Sequence, residues 1–500
     1  MTTISSEGLS PNVRIRMVEH ATNMESSADG WRGRIGVEFT PQRALKIVRA
    51  LLELHEAENN QAPSRILVGF DSRYQSDEVA QLIAATTKAR PAGHDVTLIR
   101  HLPTPTMSFL VSRDYDLAIL VTASHNPANW NGIKVKVAPG ISAPPELVKR
   151  VDMRVAEIVN SATSGALQKI PVYTADAFLN IHAQAAADAS HTQRRKAFRV
   201  AIDGLGGIAE PALAEVGKML GWHILLSHRP VDAALCNHSP DPSRQGALES
   251  LCARVLSESA DFGLALDGDG DRIFAVTDTG DVVPTHDLMA LLVLHEHRSG
   301  KPVRRIAVTQ SSGVSVRRAA DEIGAETVET PIGFKYISKL LNDKSVDAGV
   351  GAVGDMAFRS RTSDRDPLFI AAHLSLLLNQ TGQSLSTEIN QIRVRLGTTG
   401  LSWTEHHYPD ASVNKAGDLK VILDNIAPIV SIAPTQPETL LGGAVRIRDT
   451  SAAWLMLRSS TTEGGLRLYG ELLNASDERH EALRNAIKHE LKSMKQRSLV

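Results

Sequence analysis

The chain has 500 residues, of which 42% are hydrophobic and 22% charged, the balance of an ordinary folded globular protein. Its 54 basic and 56 acidic side chains give a formal charge of −2, which argues against a general nucleic-acid or membrane-surface binder. Cys236 and Cys252 make neither a disulfide framework nor a metal-ligand pattern, and no apolar run reaches about 18 residues, so we expect a reduced, cytoplasmic protein.

In chain order, residues 1–25 are polar and aperiodic and are expected to form a flexible lead. Apolar spacing then predicts helices over 42–57 and 78–89, and short apolar runs predict strands over 65–71, 95–101 and 116–124. Strands that alternate with helices in this way indicate a parallel or mixed α/β sheet.

The same strand–turn–helix theme begins again near residues 198 and 304, whereas the last 100 residues or so pair two strands with a long charged helix. The sequence therefore predicts an α/β protein with three similar α/β domains, each with a mixed sheet, and a C-terminal α+β domain around a central cleft. The expected limits are a lead at 1–25 and domains at 26–178, 179–283, 284–397 and 398–500.

The segment LALDGDGDRIFAV (264–276) alternates three carboxylates, Asp267, Asp269 and Asp271, with glycines. Extended backbone sends every second side chain to one side, so we expect the three to converge. Without a cation they would repel one another, and their hard oxygen ligands suit Mg²⁺ or Ca²⁺. Two alternatives are an EF-hand loop, which would need glycine where Arg272 stands, and a solvated acidic turn without metal.

A second motif, ILVTASHNPANWNGIKV (119–135), delivers Ser124 into a loop at the C-terminal end of a strand, where open α/β sheets bind ligands. His125 and Asn126 offer hydrogen-bond donors beside the serine, and Lys134 can act as a point charge or as an acid/base. Taken alone, a serine after a strand is more often a helix cap or a turn former.

Together the two motifs resemble the α-D-phosphohexomutases, which include phosphoglucomutases and phosphomannomutases. TASHNP is followed by NGIK and later by DGDGDR, in that family's order, and the resemblance runs from about residue 29 to 473. Further similar segments are DGWRG (29–33), VGFDSR (68–73), LPTPT (102–106), ETPIGFKYI (329–337) and LRSSTTEGGLRLYGE (457–471).

The resemblance implies a phosphomutase in which Ser124 is phosphorylated and exchanges its phosphoryl group with a phosphosugar. A sugar bisphosphate would serve as intermediate and activator, and Mg²⁺ would be held by Ser124, Asp267, Asp269 and Asp271. The catalytic residues expected from it are Ser124, Arg32, His125, Lys134 and Arg272. The substrate-binding residues expected from it are Lys335, Asp355, Ala357, Arg359, Arg458, Ser460, Thr462 and Arg467.

Two loops depart from the family pattern. The sugar loop, usually G-E-x-S-G, reads GDMAF (354–358), so that Asp355 is a methylene shorter, Ala357 has no hydroxyl and Phe358 is bulky. The phosphate loop, usually R-P-S-G-T-E-P, reads RSSTTEG (458–464), with Thr461 at a glycine position. Because a site that reads a substrate hydroxyl discriminates strongly, these changes predict a non-standard sugar.

The last domain is expected to be a mobile lid, hinged near 396–405. Two other functions stay open at this point: a phosphotransferase or phosphatase without the return step, and a sugar-phosphate-binding regulatory protein. The expected partner is a small phosphosugar, with no nucleic acid or membrane, for a monomer or homodimer.

Overall fold

The computed structural model describes residues 24–27, 30–158, 168–190, 196–227, 231–235, 239–408, 411, 416–432, 436–449, 452–459, 465–474 and 476–497. Cys236 and nearly all of the expected N-terminal lead lie outside these ranges. Cys252 is half-buried with a free thiol. Among the described residues, no helix has the length and apolar character that crossing a membrane requires.

The α-helices are numbered in chain order. They are α1 Pro41–Glu58, α2 Ser76–Lys88, α3 Thr104–Val111, α4 Pro145–Glu157, α5 Asp176–Asp188, α6 Glu210–Leu220, α7 Glu249–Ser257, α8 Thr285–Arg298, α9 Val314–Glu322, α10 Phe334–Asn342, α11 Pro367–Thr381, α12 Leu385–Leu396, α13 Ala416–Ile426 and α14 Asp477–Arg497. A 3₁₀ turn, Ala427–Val430, follows α13.

The strands are numbered in the same way. They are β1 Glu25–Ser27, β2 Gly30–Arg34, β3 Arg65–Phe70, β4 Asp95–Arg100, β5 Leu117–Val121, β6 Trp130–Val137, β7 Ile141–Ser142, β8 Val172–Thr174, β9 Arg199–Asp203, β10 His223–Leu226, β11 Phe262–Leu266, β12 Ile273–Thr277, β13 Val282–Val283, β14 Arg305–Thr309, β15 Glu326–Thr330, β16 Ala348–Val350, β17 Met356–Phe358, β18 Leu401–Tyr408, β19 Glu438–Thr439, β20 Val445–Arg448, β21 Trp454–Ser459 and β22 Leu466–Leu473.

In the described part of the chain these strands form four sheets. The first has the order β1-β2-β6-β5-β3-β4-β8, with β7 beside β6; the second has the order β10-β9-β11-β12-β13 and the third β15-β14-β16-β17. Each of these three is mixed, and each ends a parallel run with an antiparallel hairpin: β5–β6, β11–β12 and β16–β17. The fourth, β18-β22-β21-β20-β19, is antiparallel throughout. The predicted fold class is confirmed.

The hairpin strands that lead to the loops are continuous apolar runs. LAILV in β5 and FGLAL in β11 are buried along their whole length, as expected for strands covered on both faces. The helices that cover the sheets have ordinary end signals: Asp366 caps α11 ahead of Pro367, and Gly397, with a φ of 62°, ends α12.

The apolar core divides the molecule unevenly. One cluster runs without a break from Leu67 of the first sheet to Leu396 at the end of α12, so the first three sheets share it. The fourth sheet has its own cluster, from Tyr408 to Ile487. A small cluster around Trp454 connects the fourth sheet to Val314 and Ile332 of the third unit. The C-terminal domain is therefore joined to the rest by a limited apolar contact.

Candidate active site

The site is built from the loops of the three antiparallel hairpins. Ser124 lies in the β5–β6 loop, the three aspartates lie in the β11–β12 loop, and Asp355 lies in the β16–β17 loop. In each case the loop follows a central, buried strand at its C-terminal end, which is where α/β sheets present ligand-binding groups.

The Ser124 loop is held in shape by one buried arginine that sequence reasoning did not assign to the site. The Arg73 guanidinium donates to the backbone carbonyls of Ser124, Asn126, Pro127 and Trp130 at 2.6–3.0 Å. Ser124 itself has a φ of 53°, a conformation that costs a non-glycine residue energy and persists where the surroundings impose it. The VGFDSR segment was the available signal, since its Asp71 orients Arg73 through a 3.1 Å ion pair.

The aspartate loop converges by a different route from the one the sequence suggested. Residues 267–271 form a turn and not an extended segment. Asp267 Oδ1 accepts hydrogen bonds from the backbone N–H groups of Asp271 and Arg272, at 3.0 and 3.2 Å, and Gly270 takes a φ of 74°. The turn nevertheless brings ligand oxygens of all three aspartates within 4.8 Å of one another.

The two loops touch directly. Ser124 Oγ donates to Asp267 Oδ2 at 2.9 Å, and a Cβ on Gly268 would lie 2.4 Å from the Ser124 carbonyl oxygen. Thr104, from the LPTPT segment, donates to Asp269 Oδ2 through Oγ1 at 2.5 Å, and its backbone N–H donates to the Asp269 carbonyl. The predicted nucleophile and the predicted metal ligands are thus brought together.

The charge balance of this cluster depends on Lys134. Its Nζ lies 2.6 Å from Asp269 Oδ2 and 2.5 Å from Asp271 Oδ2, and all three side chains are almost fully buried. Burial alone would raise the pKa of Asp269, but the Lys134 charge and its hydrogen bond lower it below the ordinary value. Burial, together with the charges of Asp271 and Asp269, raises the pKa of Asp267 well above its ordinary value.

The aspartates fit a hard divalent cation. Within the described residues, the buried Oδ1 of Asp269 has no hydrogen-bond partner, and the ligand oxygens of the three carboxylates lie within 4.8 Å of one another. Oxygen donors from carboxylates are those that Mg²⁺ and Ca²⁺ prefer. Ser124 Oγ, next to Asp267, lies within reach of the same point.

The other predicted catalytic residues surround this cluster. His125 Nδ1 lies 3.4 Å from Ser124 Oγ. Burial, reinforced by the charges of Arg272 and Arg32, lowers the pKa of His125 well below its ordinary value, so the ring is neutral. Arg32, on β2, donates to Asn126 Oδ1 at 3.0 Å. Burial alone would lower the pKa of the Arg272 guanidinium, but the nearby carboxylates, Asp355 first, raise it.

The sugar loop differs from expectation. Asp355 lies at the site, 3.0 Å through Oδ1 from Arg365 Nη1. The next two side chains alternate along β17 and are buried on opposite faces of the sheet. Ala357 is buried against α10, and Phe358 packs edge-on against His373 in the main core. Contrary to the prediction, neither side chain lies at the edge of the cleft.

Arg359 is also placed away from the aspartates. Its Nε donates to the Val346 carbonyl oxygen at 3.1 Å, and its guanidinium pairs with Asp347. The strand alternation that buries Phe358 directs Arg359, the residue after β17, to this separate surface.

Two of the residues predicted to bind substrate line a cavity of about 420 Å³ between the first, third and fourth units. Lys335 and Arg458 lie on its wall, and Arg458 Nη2 donates to the Tyr469 hydroxyl at 3.2 Å. Arg467 pairs with Glu405 at 2.6 Å. Ser460 and Thr462 lie outside the described residues.

Comparison with known proteins settles the family. Phosphoglucomutase/phosphomannomutase α/β/α domains I, II and III match residues 23–162, 176–280 and 284–395, which is more than half of the chain. The chain belongs to the phosphoglucomutase/phosphomannomutase family. Its membership makes it an enzyme of the phosphomutase class, an isomerase.

Relatives within this phosphohexomutase family extend over most of the chain. A phosphoglucosamine mutase from Frankia alni is 28% identical over 451 residues, covering 89% of this chain and 93% of that protein. One from Desulforamulus reducens is 28% identical over 457 residues, covering 89% and 94%.

Solved structures show the same phosphohexomutase fold. A putative phosphomannomutase from Thermus thermophilus superposes with a TM-score of 0.77 at 22% identity, over 94% of this chain and 99% of that one. An Aspergillus fumigatus N-acetylphosphoglucosamine mutase, in complex with GlcNAc-6P and magnesium, gives a TM-score of 0.55 at 14% identity, over 96% and 99%.

Proposed function

We propose that this enzyme moves a phosphoryl group between the 1-position and the terminal hydroxyl of a sugar phosphate, with Ser124 as the carrier and a sugar bisphosphate as the intermediate. The observation that carries the proposal is the 2.9 Å hydrogen bond from Ser124 Oγ to Asp267 in a buried cluster of three carboxylates. This setting places the serine oxygen beside carboxylates that fit a divalent cation, and phosphoryl transfer uses such a cation to compensate charge.

In the forward step the bond between phosphorus and Ser124 Oγ breaks as a bond to a sugar hydroxyl oxygen forms. The hydroxyl proton leaves the sugar, and the serine oxygen ends the step protonated. His125 Nδ1 lies 3.4 Å from Ser124 Oγ, beside the oxygen that takes up this proton, and Arg32 and Lys134 supply positive charge at the site. The return step reverses these changes with the other phosphate of the bisphosphate.

The proposed metal is Mg²⁺, held by Asp267, Asp269, Asp271 and an oxygen on phosphorylated Ser124. When bound, it would supply the charge compensation that phosphoryl transfer requires. The Aspergillus neighbour, solved with magnesium, supports this choice.

For the sugar we propose a non-standard phosphosugar, and an amino sugar phosphate is the first to test. The bacterial relatives named as phosphoglucosamine mutases support an amino sugar. The shortened Asp355 supports a readout of the ring that differs from the usual one. The domain limits, a cytoplasmic location, a monomeric or homodimeric state and the roles of Ser460 and Thr462 remain predictions.

The first experiment tests the carrier. Mass spectrometry of the purified protein should find a phosphate adduct on the peptide that contains Ser124, and Ser124→Ala should abolish both the adduct and turnover. Ser239→Ala is the matched control, because Ser239 donates to the His125 carbonyl oxygen at 3.2 Å in the same cleft. Full activity of Ser124→Ala would rule the proposal out.

The second experiment tests the reaction. Interconversion of 1-phosphates and terminal phosphates is followed by phosphorus NMR for glucosamine, glucose, mannose, deoxyhexose and pentose phosphates, with and without a sugar bisphosphate. A mutase gives both isomers and is activated by the bisphosphate. Release of inorganic phosphate without isomerisation would identify a phosphatase instead.

A further inference from the structure

A short charged segment, SDRDP at 363–367, places a buried guanidinium between two of the site's loops. Sequence reasoning did not assign it, because its acidic and basic residues look like those of a solvated turn. In the structure Asp364, Arg365 and Asp366 are all nearly buried, and each contacts a different part of the molecule.

The two aspartates fix the backbone of the segment. Asp364 Oδ2 accepts from Lys136 Nζ at 2.8 Å and from the backbone N–H of Ser142 at 2.7 Å, which ties the segment to the first sheet. Asp366 caps α11 and lies 2.9 Å from His182 Nε2 on α5. Arg365 therefore projects from a backbone that is held on both sides.

The Arg365 guanidinium joins the aspartate loop to the sugar loop. Its Nη2 lies 3.0 Å from Asp271 Oδ2 and its Nη1 lies 3.0 Å from Asp355 Oδ1, while its face lies 5.5 Å from the centre of the Phe334 ring. The planar fork of an arginine can hold two carboxylates at a fixed separation, which the single ammonium of a lysine cannot do.

Both arginine contacts of Asp355 use the same oxygen. Arg365 Nη1 lies 3.0 Å and Arg272 Nε lies 3.7 Å from Oδ1, while Oδ2 lies on the side of Gly351, where an added Cβ would be 2.7 Å from it. The Arg365 fork holds the plane of the carboxylate, because a partial rotation about the Cβ–Cγ bond would lengthen the 3.0 Å contact. Ala357 and Phe358 are buried elsewhere, which leaves Asp355 and its clamp to define this edge of the cleft.

We propose that Arg365 is a positioning residue for the mutase reaction proposed above: it fixes Asp355 relative to Asp271 and so determines which sugar hydroxyl the third-unit loop can accept. The inference rests on that function and adds a determinant of substrate selectivity to it. Arg365 lies outside the loop that departs from the family pattern, residues 354–358.

The test compares Arg365→Lys and Arg365→Gln with Arg361→Gln. Arg361 is the matched control: its side chain is 7% exposed, as is that of Arg365, and it contacts a carboxylate, Glu296, at 3.4 Å, away from the aspartate cluster. The ratio of kcat/KM between the preferred and the poorest active phosphosugar is measured for each variant, together with Mg²⁺ affinity by calorimetry and thermal stability.

Arg365→Lys should keep the Ser124 phosphate adduct but lower the selectivity ratio about tenfold or more, mainly by raising KM for the preferred sugar, because it keeps the charge and loses the fork. Arg365→Gln should in addition bind Mg²⁺ several-fold more tightly, since a cation that competes for Asp271 is removed. Arg361→Gln should change neither quantity.

An unchanged ratio in Arg365→Lys, an unchanged Mg²⁺ affinity in Arg365→Gln, or equal effects in Arg361→Gln would overturn the inference while the mutase function stands. If the parent protein carries no Ser124 phosphate and turns over no sugar of the panel, the proposed function fails and the inference fails with it. The state of the parent protein thus separates the two failures.

Discussion

Replacement of Lys134 by methionine tests whether this lysine occupies the place of a cation in the buried carboxylate cluster. Its Nζ is 2.6 Å from Asp269 and 2.5 Å from Asp271, and its side chain is 1% exposed. Methionine keeps the aliphatic length and removes the charge. Two buried carboxylates then lose their common partner, which for a buried pair costs about 3–5 kcal/mol.

A second route gives a similar magnitude. The cluster can relieve its charge by taking up a proton, and protonating a carboxylic acid of ordinary pKa, about 3.9, at pH 7 costs about 4 kcal/mol. The destabilisation of Lys134→Met should therefore be limited to about 4 kcal/mol at neutral pH. It should shrink as the pH falls, because the carboxylates then protonate without this cost.

The decisive feature is the response to Mg²⁺. Without Lys134, the aspartates should bind Mg²⁺ more tightly, and ligand at about 100 times its Kd adds about 2.7 kcal/mol to stability. Thermal unfolding with and without Mg²⁺ should show a larger shift in Tm for Lys134→Met than for the parent. The variant should also lose mutase turnover, since the lysine charge beside the phosphoryl group is gone.

Lys136 supplies the control on the same strand. It lies two residues along β6, is 2% exposed, and pairs with Asp364 at 2.8 Å, which is not among the three clustered aspartates. Lys136→Met should also destabilise the protein, but with a smaller gain in the Mg²⁺ response, because it removes no charge that contacts the three aspartates directly. Equal Mg²⁺ shifts in the two variants, or none beyond the parent in Lys134→Met, would refute the assignment of this cluster as the metal site.

Three further outcomes follow from the structure. Burial alone would lower the pKa of His286, but Glu471, 3.0 Å away, raises it overall. This contact should therefore stabilise the protein below about pH 6.5, and the stabilisation should be lost as the pH rises through the folded-state pKa of His286. The Tm difference between the parent and His286→Gln should then narrow with rising pH, and a constant difference would contradict this. Gly270→Ala should lower the free energy of unfolding by at least about 1–3 kcal/mol and weaken Mg²⁺ binding, because the φ of Gly270 is 74° and the new Cβ would lie 2.1 Å from the Cβ of Ala209. A variant with the Tm of the parent would refute this expectation. Arg458→Ala should raise KM about tenfold or more with a smaller change in kcat, as expected if Arg458 binds the phosphate that does not react; an unchanged KM would exclude that role.

The sequence by itself determined the local features of this protein. The apolar runs before Ser124 and before Asp267 predicted buried strands, and the residues that follow them had to lie in loops at the strand ends. The motif order identified the family, and the four-unit architecture followed from the repeated strand and helix patterns. These features are readable because burial and backbone conformation repeat with periods of about two to four residues along the chain.

The partnerships across the site were decided only by tertiary structure. Arg73 and Thr104 belong to segments the sequence singled out, yet their contacts with Ser124 and Asp269 span 51 and 165 residues and depend on how the sheets pack. Packing also made Arg365 a bridge between two loops. No periodic pattern carries such information, because a charged side chain in a loop has the same local signature whether it faces water or a buried carboxylate.

The sugar loop shows the limit most clearly. The match to the family motif predicted that Ala357 and Phe358 contact the substrate. In the structure a strand begins at Met356, and side chains that alternate along it place Ala357 and Phe358 in apolar clusters on opposite faces of the sheet. Asp355 remains at the site because it precedes that strand. Which side chain of a loop reaches the cleft is thus set by where the strand begins, and the pairing of Val350 with Met356 across the hairpin fixes that point.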